Sequence, residues 1–207
     1  MKVLELFAGS RSFSKVAEEF GYETYTTDIE PFDKINQVCN IFDFNIDKML
    51  DEFGSPDIIW ASPPCTTFSV ASIGHHWKGG NKAYIPKTSK AELGIMIVKE
   101  TIHIIKMLNP KYFYIENPRA MLRKLDLIPY PYTTVTYCQY GFKYMKPTDI
   151  WSNNSDWLMI AKSCKNGMSC HESAPRGAKT GLQGIKGAAK GAIPPNLMKE
   201  ILEYSVL

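Results

Sequence analysis

Two short segments of the chain carry side chains that could perform group-transfer chemistry. Cys65 ends the sequence Ser62-Pro63-Pro64-Cys65 after an apolar run, and Glu116 follows an aromatic run about fifty residues later. A thiolate is a strong nucleophile, and a carboxyl group can deliver or accept a proton. Alternatively, Cys65 is a small buried residue, and Glu116 caps a helix or joins a surface ion pair. The residue types alone leave both interpretations open.

The elements that must position these residues alternate along the chain. Short apolar or β-branched runs predict strands over residues 2–7, 22–27, 57–61, 111–115, 132–138 and 157–161. Apolar residues at helical spacing predict helices over residues 13–20, 46–53, 89–108 and 194–204, with a capping box from Ser89 to Glu92. This alternation predicts an α/β fold with a mainly parallel sheet and helices on both faces. Ligands of such sheets bind beyond the carboxyl ends of the strands, where Gly9, Asp28, Cys65 and Glu116 fall.

The composition is that of one folded domain covering residues 1–207. Of the 207 residues, 44% are apolar and 22% are charged, close to the average of soluble domains. No apolar run approaches the roughly 18 residues of a membrane span. Glu5 and Gly9 interrupt the opening segment where a signal peptide needs an unbroken apolar stretch. Five irregularly spaced cysteines do not match a secreted disulfide framework. We expect a cytoplasmic protein without membrane contact, with a monomer as the favoured state.

Charge is divided unevenly along the chain. Residues 1–60 have 12 Asp and Glu against 5 Lys and Arg, whereas residues 61–207 have 9 against 19. A basic later part suits an anionic partner such as nucleic acid, although surplus lysine also serves solubility. The Gly-rich segment 162–190 has six Lys and Arg against one Glu. It suits phosphate contacts, which position nucleic acid without reading its sequence, or it is a solvated loop.

Five motifs occur in the order found in the DNA cytosine-5 methyltransferases, and the chain resembles that family. They are Phe7-Ala8-Gly9, Pro63-Pro64-Cys65 with Phe68-Ser69, Glu116-Asn117, Gln139-Tyr140-Gly141, and Ala192-Ile193-Pro194-Pro195-Asn196-Leu197. The resemblance spans nearly the whole chain, with residues 162–190 as the exception. It implies a Rossmann-like methyltransferase fold that takes a methyl group from S-adenosylmethionine and DNA as the substrate.

The resemblance also implies the roles of the two catalytic candidates. Carbon 5 of cytosine is a poor nucleophile, so the Cys65 thiolate first adds to carbon 6 while Glu116 protonates or hydrogen-bonds ring nitrogen 3. The resulting enamine attacks the methyl sulfonium. A base then removes the carbon 5 proton, the cysteine leaves, and 5-methylcytosine is released.

The resemblance assigns binding residues as well. The cofactor contacts are Phe7, Ala8, Gly9, Ser10, Asp28, Ile29, Asn40, Ile41, Pro63 and Ile193. Within this set, Asp28 is placed to accept hydrogen bonds from ribose hydroxyls, or is a simple loop carboxylate, and Asn40 lies beside the adenine. The substrate contacts are Pro64, Ser69, Asn117, Arg119 and Lys146. Arg119 meets the cytosine edge or a phosphate, or forms a structural ion pair, and Lys146 is the nearest cation for the cytosine carbonyl or a phosphate.

The chain departs from the family pattern at three places, and one of them is the absence of the family's Gln-x-Arg-x-Arg segment, which leaves Lys146 as the nearest cation. Arg11 stands where a second glycine is usual, which predicts an altered cofactor loop or a loss of cofactor binding. Residues 162–190 replace a separate target-recognition domain and are too few for a second core, which predicts short or relaxed sequence specificity. Compact enzymes of this kind occur in phages and mobile elements. Methylation of cytosine in RNA, and a catalytically silent nucleic-acid-binding protein of the same fold, are the alternatives.

Two further segments carry candidate residues. The polar segment 74–88, with His75, His76 and Trp77, is predicted as a mobile loop that closes over a flipped cytosine. Trp77 would fill the vacated stack or anchor the loop. Cys164, Cys170 and His171 could ligate zinc, but their spacing is not a standard one and no fourth ligand is evident, so no metal is assigned.

Overall fold

A seven-stranded sheet organises the computed structural model, which describes residues 1–80, 84–172 and 191–206. Its strands are β1 (Lys2–Leu6), β2 (Glu23–Asp28), β3 (Gln37–Val38), β4 (Ile58–Ala61), β7 (Tyr112–Pro118), β8 (Tyr132–Thr136) and β9 (Pro147–Ser152). Two further short strands, β5 (Trp77–Lys78) and β6 (Ile85–Pro86), pair only with each other.

The strand order of the large sheet is β3-β2-β1-β4-β7-β9-β8. The first five strands are parallel, whereas β9 runs antiparallel to both of its neighbours. The loops that follow β1, β2, β4 and β7 therefore share one edge of the sheet. This confirms the predicted mainly parallel sheet.

Helices cover both faces of this sheet. They are α1 (Ser12–Glu19), α2 (Ile46–Phe53), α3 (Ile73–His76), α4 (Ser89–Leu108), α5 (Ser155–Ile160) and α6 (Pro195–Glu203), with 3-10 turns at Ile41–Asp43, Leu122–Lys124 and Tyr137–Tyr140. Alternate side chains of β1 enter different cores: Leu4 packs in the core that includes α4, and Val3 in the core that includes α1 and α6. The predicted coverage of both faces is thus confirmed. No helix in the described part of the chain combines the length and apolarity needed to cross a membrane.

Several sequence-based expectations need correction. The apolar run 157–161, predicted as a strand, lies mainly in helix α5, because the Asn154 side chain accepts a hydrogen bond from the Trp157 N–H and caps a helix there. Strand β9 was not predicted. The segment 74–88, predicted as a loop, contains part of α3 and the β5–β6 pair. Helix α4 is capped by the Thr88 hydroxyl, which accepts from the Ala91 N–H, and not by Ser89. In the Gly-rich segment 162–190, residues 162–172 form no helix or strand, and residues 173–190 lie outside the described part of the chain.

A buried carboxylate fixes the start of helix α1. Glu5 lies in β1 with 2% of its surface exposed, and it accepts hydrogen bonds from the N–H groups of Phe13 (3.1 Å) and Ser14 (2.8 Å). These donors belong to the first turn of α1, which has no acceptor within the helix. Burial raises the pKa of Glu5, and the hydrogen bonds from Ser14 and Phe13 oppose that change. The Glu5 side chain therefore connects strand β1 to the first turn of α1 and fixes the loop between them.

Replacement of Glu5 by alanine is expected to lower the free energy of unfolding by about 2–4 kcal/mol, because two backbone donors lose a charged acceptor in a buried place. Urea denaturation followed by circular dichroism measures this loss. Glu23→Ala, at an exposed glutamate of β2, is the matched control and should stay within about 0.5 kcal/mol of the wild type. Equal stability of the two variants would contradict the role assigned to Glu5.

Candidate active site

The sheet brings Cys65 and Glu116 to neighbouring strand ends. Strands β4 and β7 pair in parallel with Ala61 opposite Ile115, so Glu116 lies next to the end of β4. Cys65 follows β4 by four residues. The two groups are close enough for the carboxylate to raise the pKa of the Cys65 thiol. The structure thus unites the two predicted catalytic residues.

Hydrogen bonds on both sides hold the loop that carries Cys65. The Asn117 amide nitrogen donates to the Pro63 carbonyl (3.0 Å), and the Cys65 carbonyl accepts from the N–H groups of Phe68 and Ser69, both at 3.0 Å. Phe68 is fully buried. Asn117, predicted as a substrate contact, is itself fully buried, and its observed contact positions the cysteine loop.

The carboxyl group of Glu116 lies in a desolvated place. Its side chain is nearly inaccessible to solvent, and the Tyr137 hydroxyl donates to Oε1 at 3.1 Å. Burial raises the pKa of Glu116, while the charge of Lys146 and hydrogen bonds from Tyr137 and Ser62 oppose this rise. A raised pKa keeps more of the group in the neutral acid form, which can donate a proton.

Lys146 completes the charged cluster. Its Nζ lies 4.6 Å from the centroid of the Tyr137 ring, and the residue is buried. Burial lowers the pKa of Lys146, while Glu116 and Cys65 oppose that change. For the Cys65 thiol, burial raises the pKa first, the Glu116 charge raises it further, and Lys146 lowers it. The three ionisable groups are therefore coupled, and the lysine favours the thiolate that nucleophilic chemistry requires.

The turn after β1 lies beside the end of β2. Gly9 has φ +49°, in the left-handed region that favours glycine. Its N–H donates to Asp28 Oδ2 at 2.8 Å, and the Glu30 N–H donates to Asp28 Oδ1 at 3.0 Å. A carboxylate offers about four acceptor sites, so Asp28 retains acceptor capacity for ligand hydroxyls. Ile29, the next residue, is 62% exposed and offers an apolar surface. These residues fit a nucleoside-containing cofactor.

Arg11 does not enter the space around Asp28. It has φ +59°, and its buried side chain forms an ion pair with Glu18 and donates to Thr24 Oγ1 at 3.2 Å. These partners belong to α1 and to the start of β2, at the far end of β2 from Asp28. The guanidinium group therefore connects α1 to β2. Arg11 predicted an altered cofactor loop, and in this loop Gly9 has the left-handed backbone conformation that favours glycine.

The other predicted cofactor residues differ in exposure. Asn40 Oδ1 accepts from the Phe42 N–H at 3.3 Å and so caps the 3-10 turn, while the Ile41 side chain packs in the core. Ala8, Pro63 and Ile193 are buried, Phe7 is half-buried, and Ser10 is exposed.

Among the predicted substrate contacts, Pro64 and Arg119 are exposed and Ser69 is half-buried. Arg119 forms no ion pair with any residue in the described ranges.

Three residues near the site were missed or left undecided by the sequence. The Tyr137 hydroxyl donates to Glu116, and Ser62 lies near enough to lower the pKa of Glu116. Ser62 adjoins the Pro-Pro-Cys motif and could have been suspected, whereas nothing in the sequence marks Tyr137. Trp77 is the loop anchor of the two alternatives: it is buried, stacks on Phe68, and donates from Nε1 to the Thr67 carbonyl at 2.7 Å.

One protein family and one viral protein match the sequence of this chain. The profile of the family described as C-5 cytosine-specific DNA methylase matches residues 1–127. A probable DNA (cytosine-5)-methyltransferase of Frog virus 3 (isolate Goorha) is 28% identical over 218 residues, which cover 98% of this chain and 99% of the viral protein.

A solved structure shares the fold. It is a prophage-encoded protein of E. coli assigned as a DNA modification methyltransferase, with a TM-score of 0.53 and 14% identity, covering 73% of this chain and 46% of that one. At this identity the likeness shows the fold alone, and this chain spans less than half of the solved protein.

The fold and the family match together identify the class. The chain has the Rossmann-like fold of the S-adenosylmethionine-dependent methyltransferases. It belongs to the C-5 cytosine-specific DNA methylase family, whose enzyme class is DNA (cytosine-5-)-methyltransferase.

Changes at Lys146 and Glu116 are expected to shift the reactivity of Cys65 in opposite directions. Lys146→Met removes the cation that lowers the thiol pKa, so the midpoint for alkylation of Cys65 by iodoacetamide should move to higher pH. Glu116→Gln removes the carboxylate that raises the thiol pKa, so the midpoint should move to lower pH. Mass spectrometry of the Cys65 peptide across a pH series measures both. Lys143→Met, at an exposed lysine nearby, should leave the midpoint unchanged, and shifts of one sign in both active-site variants would contradict the coupling.

Proposed function

We propose that the chain transfers a methyl group from S-adenosylmethionine to carbon 5 of cytosine in DNA through a covalent adduct with Cys65. The observation that carries this proposal is the coupled cluster of Cys65, Glu116 and Lys146 at the ends of β4 and β7. The cluster supplies a nucleophile, an acid and a cation, and the reaction needs the first two.

The nucleophilic step begins at Cys65. Its sulfur forms a bond to carbon 6 of cytosine, and the electron pair of the 5,6 double bond becomes available at carbon 5. Lys146 favours the thiolate form by its charge. The Asn117 contact to Pro63 fixes the loop, so the sulfur approaches the base along a defined direction.

The acid step belongs to Glu116. When cytosine is bound, the neutral carboxyl group donates a hydrogen bond or a proton to ring nitrogen 3 and offsets the negative charge that the thiolate brings to the ring. Burial, which raises the pKa of this group, favours the required form. Tyr137 fixes its orientation through the hydrogen bond to Oε1.

S-adenosylmethionine, when bound, supplies an electrophilic methyl group to carbon 5. Asp28 would accept from the ribose hydroxyls, and Ile29 and Asn40 would contact the adenine. The conformation of Gly9 leaves room for the backbone to approach the methionine part. After transfer, removal of the carbon 5 proton by a base restores the double bond, and the Cys65 thiolate leaves.

The family match supports DNA as the substrate. The cationic part of the chain suits its phosphates, and residues 162–190 take the place of a target-recognition domain. Phosphate contacts do not read base sequence, so we propose a short or relaxed target, such as a dinucleotide. We further propose that residues 1–207 act as one domain, as a monomer in the cytoplasm of a bacterial or phage-infected host cell.

Cys65→Ala is expected to abolish formation of 5-methylcytosine in unmethylated DNA, because it removes the thiolate that forms the bond to carbon 6. Glu116→Gln should still bind DNA but slow transfer by about 100- to 10,000-fold, the scale of acid catalysis. Mass spectrometry of nucleosides after incubation with S-adenosylmethionine measures both.

The same assay separates the alternatives. Retained turnover in Cys65→Ala would overturn the adduct mechanism, and product on tRNA without product on DNA would establish an RNA methyltransferase. Cys39→Ala, at a cysteine paired with Thr27 outside the cluster, is the control for nonspecific effects of cysteine replacement on folding, followed by circular dichroism.

Asp28→Ala is expected to weaken S-adenosylmethionine binding by about 10- to 100-fold, since it removes charge-assisted hydrogen bonds. Isothermal titration calorimetry measures the affinity. Asp51→Ala, at an exposed aspartate of α2, should bind as the wild type does. Absence of binding by the folded wild type would favour the silent protein. In that case Arg11→Gly, which restores the usual glycine, tests whether Arg11 is the cause.

A further inference from the structure

A second cluster of reactive side chains lies outside the methyltransferase site. Cys138 belongs to the 3-10 turn Tyr137–Tyr140, and Cys164, Cys170 and His171 belong to the segment 162–172. One ligand atom from each of the four residues lies within 4.8 Å of the other three. Cys138 is the fourth ligand that the sequence did not show, because it is 26 residues from Cys164 along the chain.

Three of the distances between these atoms are close to those of a tetrahedral zinc site. Zinc–sulfur bonds of about 2.3 Å and zinc–nitrogen bonds of about 2.0–2.1 Å at tetrahedral angles place two sulfurs about 3.8 Å apart, and a sulfur and a nitrogen about 3.5 Å apart. Cys170 Sγ lies 3.7 Å from Cys138 Sγ, and His171 Nδ1 lies 3.5 Å from Cys170 Sγ and 3.6 Å from Cys164 Sγ. The Cys138–Cys164 pair is shorter, at 3.1 Å, yet well beyond the roughly 2.05 Å of a disulfide bond.

Hydrogen bonds from backbone N–H groups fasten the segment that carries three of the four residues. The Cys164 N–H donates to Thr136 Oγ1 at 2.8 Å, and the Thr136 N–H donates to the Lys162 carbonyl at 3.2 Å. On the other side, the Glu172 N–H donates to the Lys143 carbonyl at 2.8 Å. The start of the segment 162–172 is thus fastened to Thr136 at the end of strand β8, and its end is fastened to Lys143 in the loop before β9. Hydrogen-bond partners of this kind orient the ligands of metal sites.

We propose that Cys138, Cys164, Cys170 and His171 bind one structural zinc ion. Three thiolates and an imidazole are a donor set that zinc takes in its structural sites, whereas calcium and magnesium prefer oxygen ligands. Four protein ligands fill a tetrahedral shell, so this ion has no open position for substrate and takes no part in methyl transfer. The proposal does not depend on the proposed function.

The location gives the zinc ion a mechanical role. It joins the turn that contains Tyr137, the partner of Glu116, to the segment that leads directly into residues 173–190. Those residues carry Arg176, Lys179, Lys186 and Lys190, the basic side chains predicted to contact phosphates. A metal crosslink there fixes the base of the basic segment relative to the acid of the active site.

Metal content of the purified full chain tests the proposal. Inductively coupled plasma mass spectrometry should find about one zinc per chain in protein expressed with zinc and purified without chelator. Cys138→Ser and Cys164→Ser should fall below about a tenth of that value. Cys39→Ser, outside the cluster, and Cys65→Ala, in the methyltransferase site, should keep the full amount.

Two further measurements separate metal binding from misfolding. His171→Cys, which replaces one zinc ligand by another, should retain zinc, whereas His171→Ala should lose it. Cobalt(II) added to the zinc-free protein should give the thiolate charge-transfer absorption and the intense visible bands of tetrahedral coordination. The proposal would be overturned if the folded wild-type protein bound no metal. In that case the protein would have either five freely reactive thiols or a disulfide between Cys138 and Cys164. Full zinc with no methylation of DNA or tRNA would reject only the proposed function.

Discussion

The parallel pairing of β4 with β7 is the constraint on which the active site depends. The register sets Ala61, the last residue of β4, opposite Ile115, so Glu116 of β7 and the loop that follows β4 share a small volume whatever their separation along the chain. Helices pack on both faces of these strands and leave only the strand ends for ligands. The thiol of Cys65 and the carboxyl group of Glu116 come together for this reason, and Asn117, the next residue of β7, locks the cysteine loop to the strand.

Burial of three ionisable groups in that volume gives the site its chemical character. A single buried charge is costly, and here burial raises the pKa of Cys65 and Glu116 and lowers the pKa of Lys146. Each shift favours the neutral form, and each is opposed by an oppositely charged neighbour. The protonation state of each group therefore depends on the charge of the other two. Tyr137 and Asn117 hold the geometry because the charges alone would not specify one arrangement.

The sequence predicted the parts of the fold in which local pattern and tertiary environment agree. The run from Lys2 to Phe20 gives strand, turn and helix because its apolar spacing matches its burial. The sequence predicted Cys65 and Glu116 at neighbouring strand ends; Cys65 does follow β4, whereas Glu116 lies within β7, which continues to Pro118, and the roles of both residues stay predictions. The sequence pattern failed where tertiary contacts determine the secondary structure. Strand β9 includes the fully buried Asp149, which forms an ion pair with Arg123, so its sequence does not show the apolar pattern of a buried strand. The short run 157–161 fits a helix or a strand equally, and only the Asn154 cap decides between them.

The sequence alone could not show that Cys138 and Cys164 lie together in the folded chain. Spacing along the chain could not associate Cys138 with Cys164, because strand β9 and helix α5 lie between them and the fold alone brings them together. A segment of the length of 162–190, with few large apolar side chains, cannot bury enough surface for a core of its own. Short polypeptide segments of this kind are commonly held by a metal or a disulfide instead of by packing. A zinc crosslink at the base of the segment would therefore take the place of a hydrophobic core, and Cys138, one of its ligands, adjoins Tyr137, whose hydroxyl donates to the proposed acid Glu116.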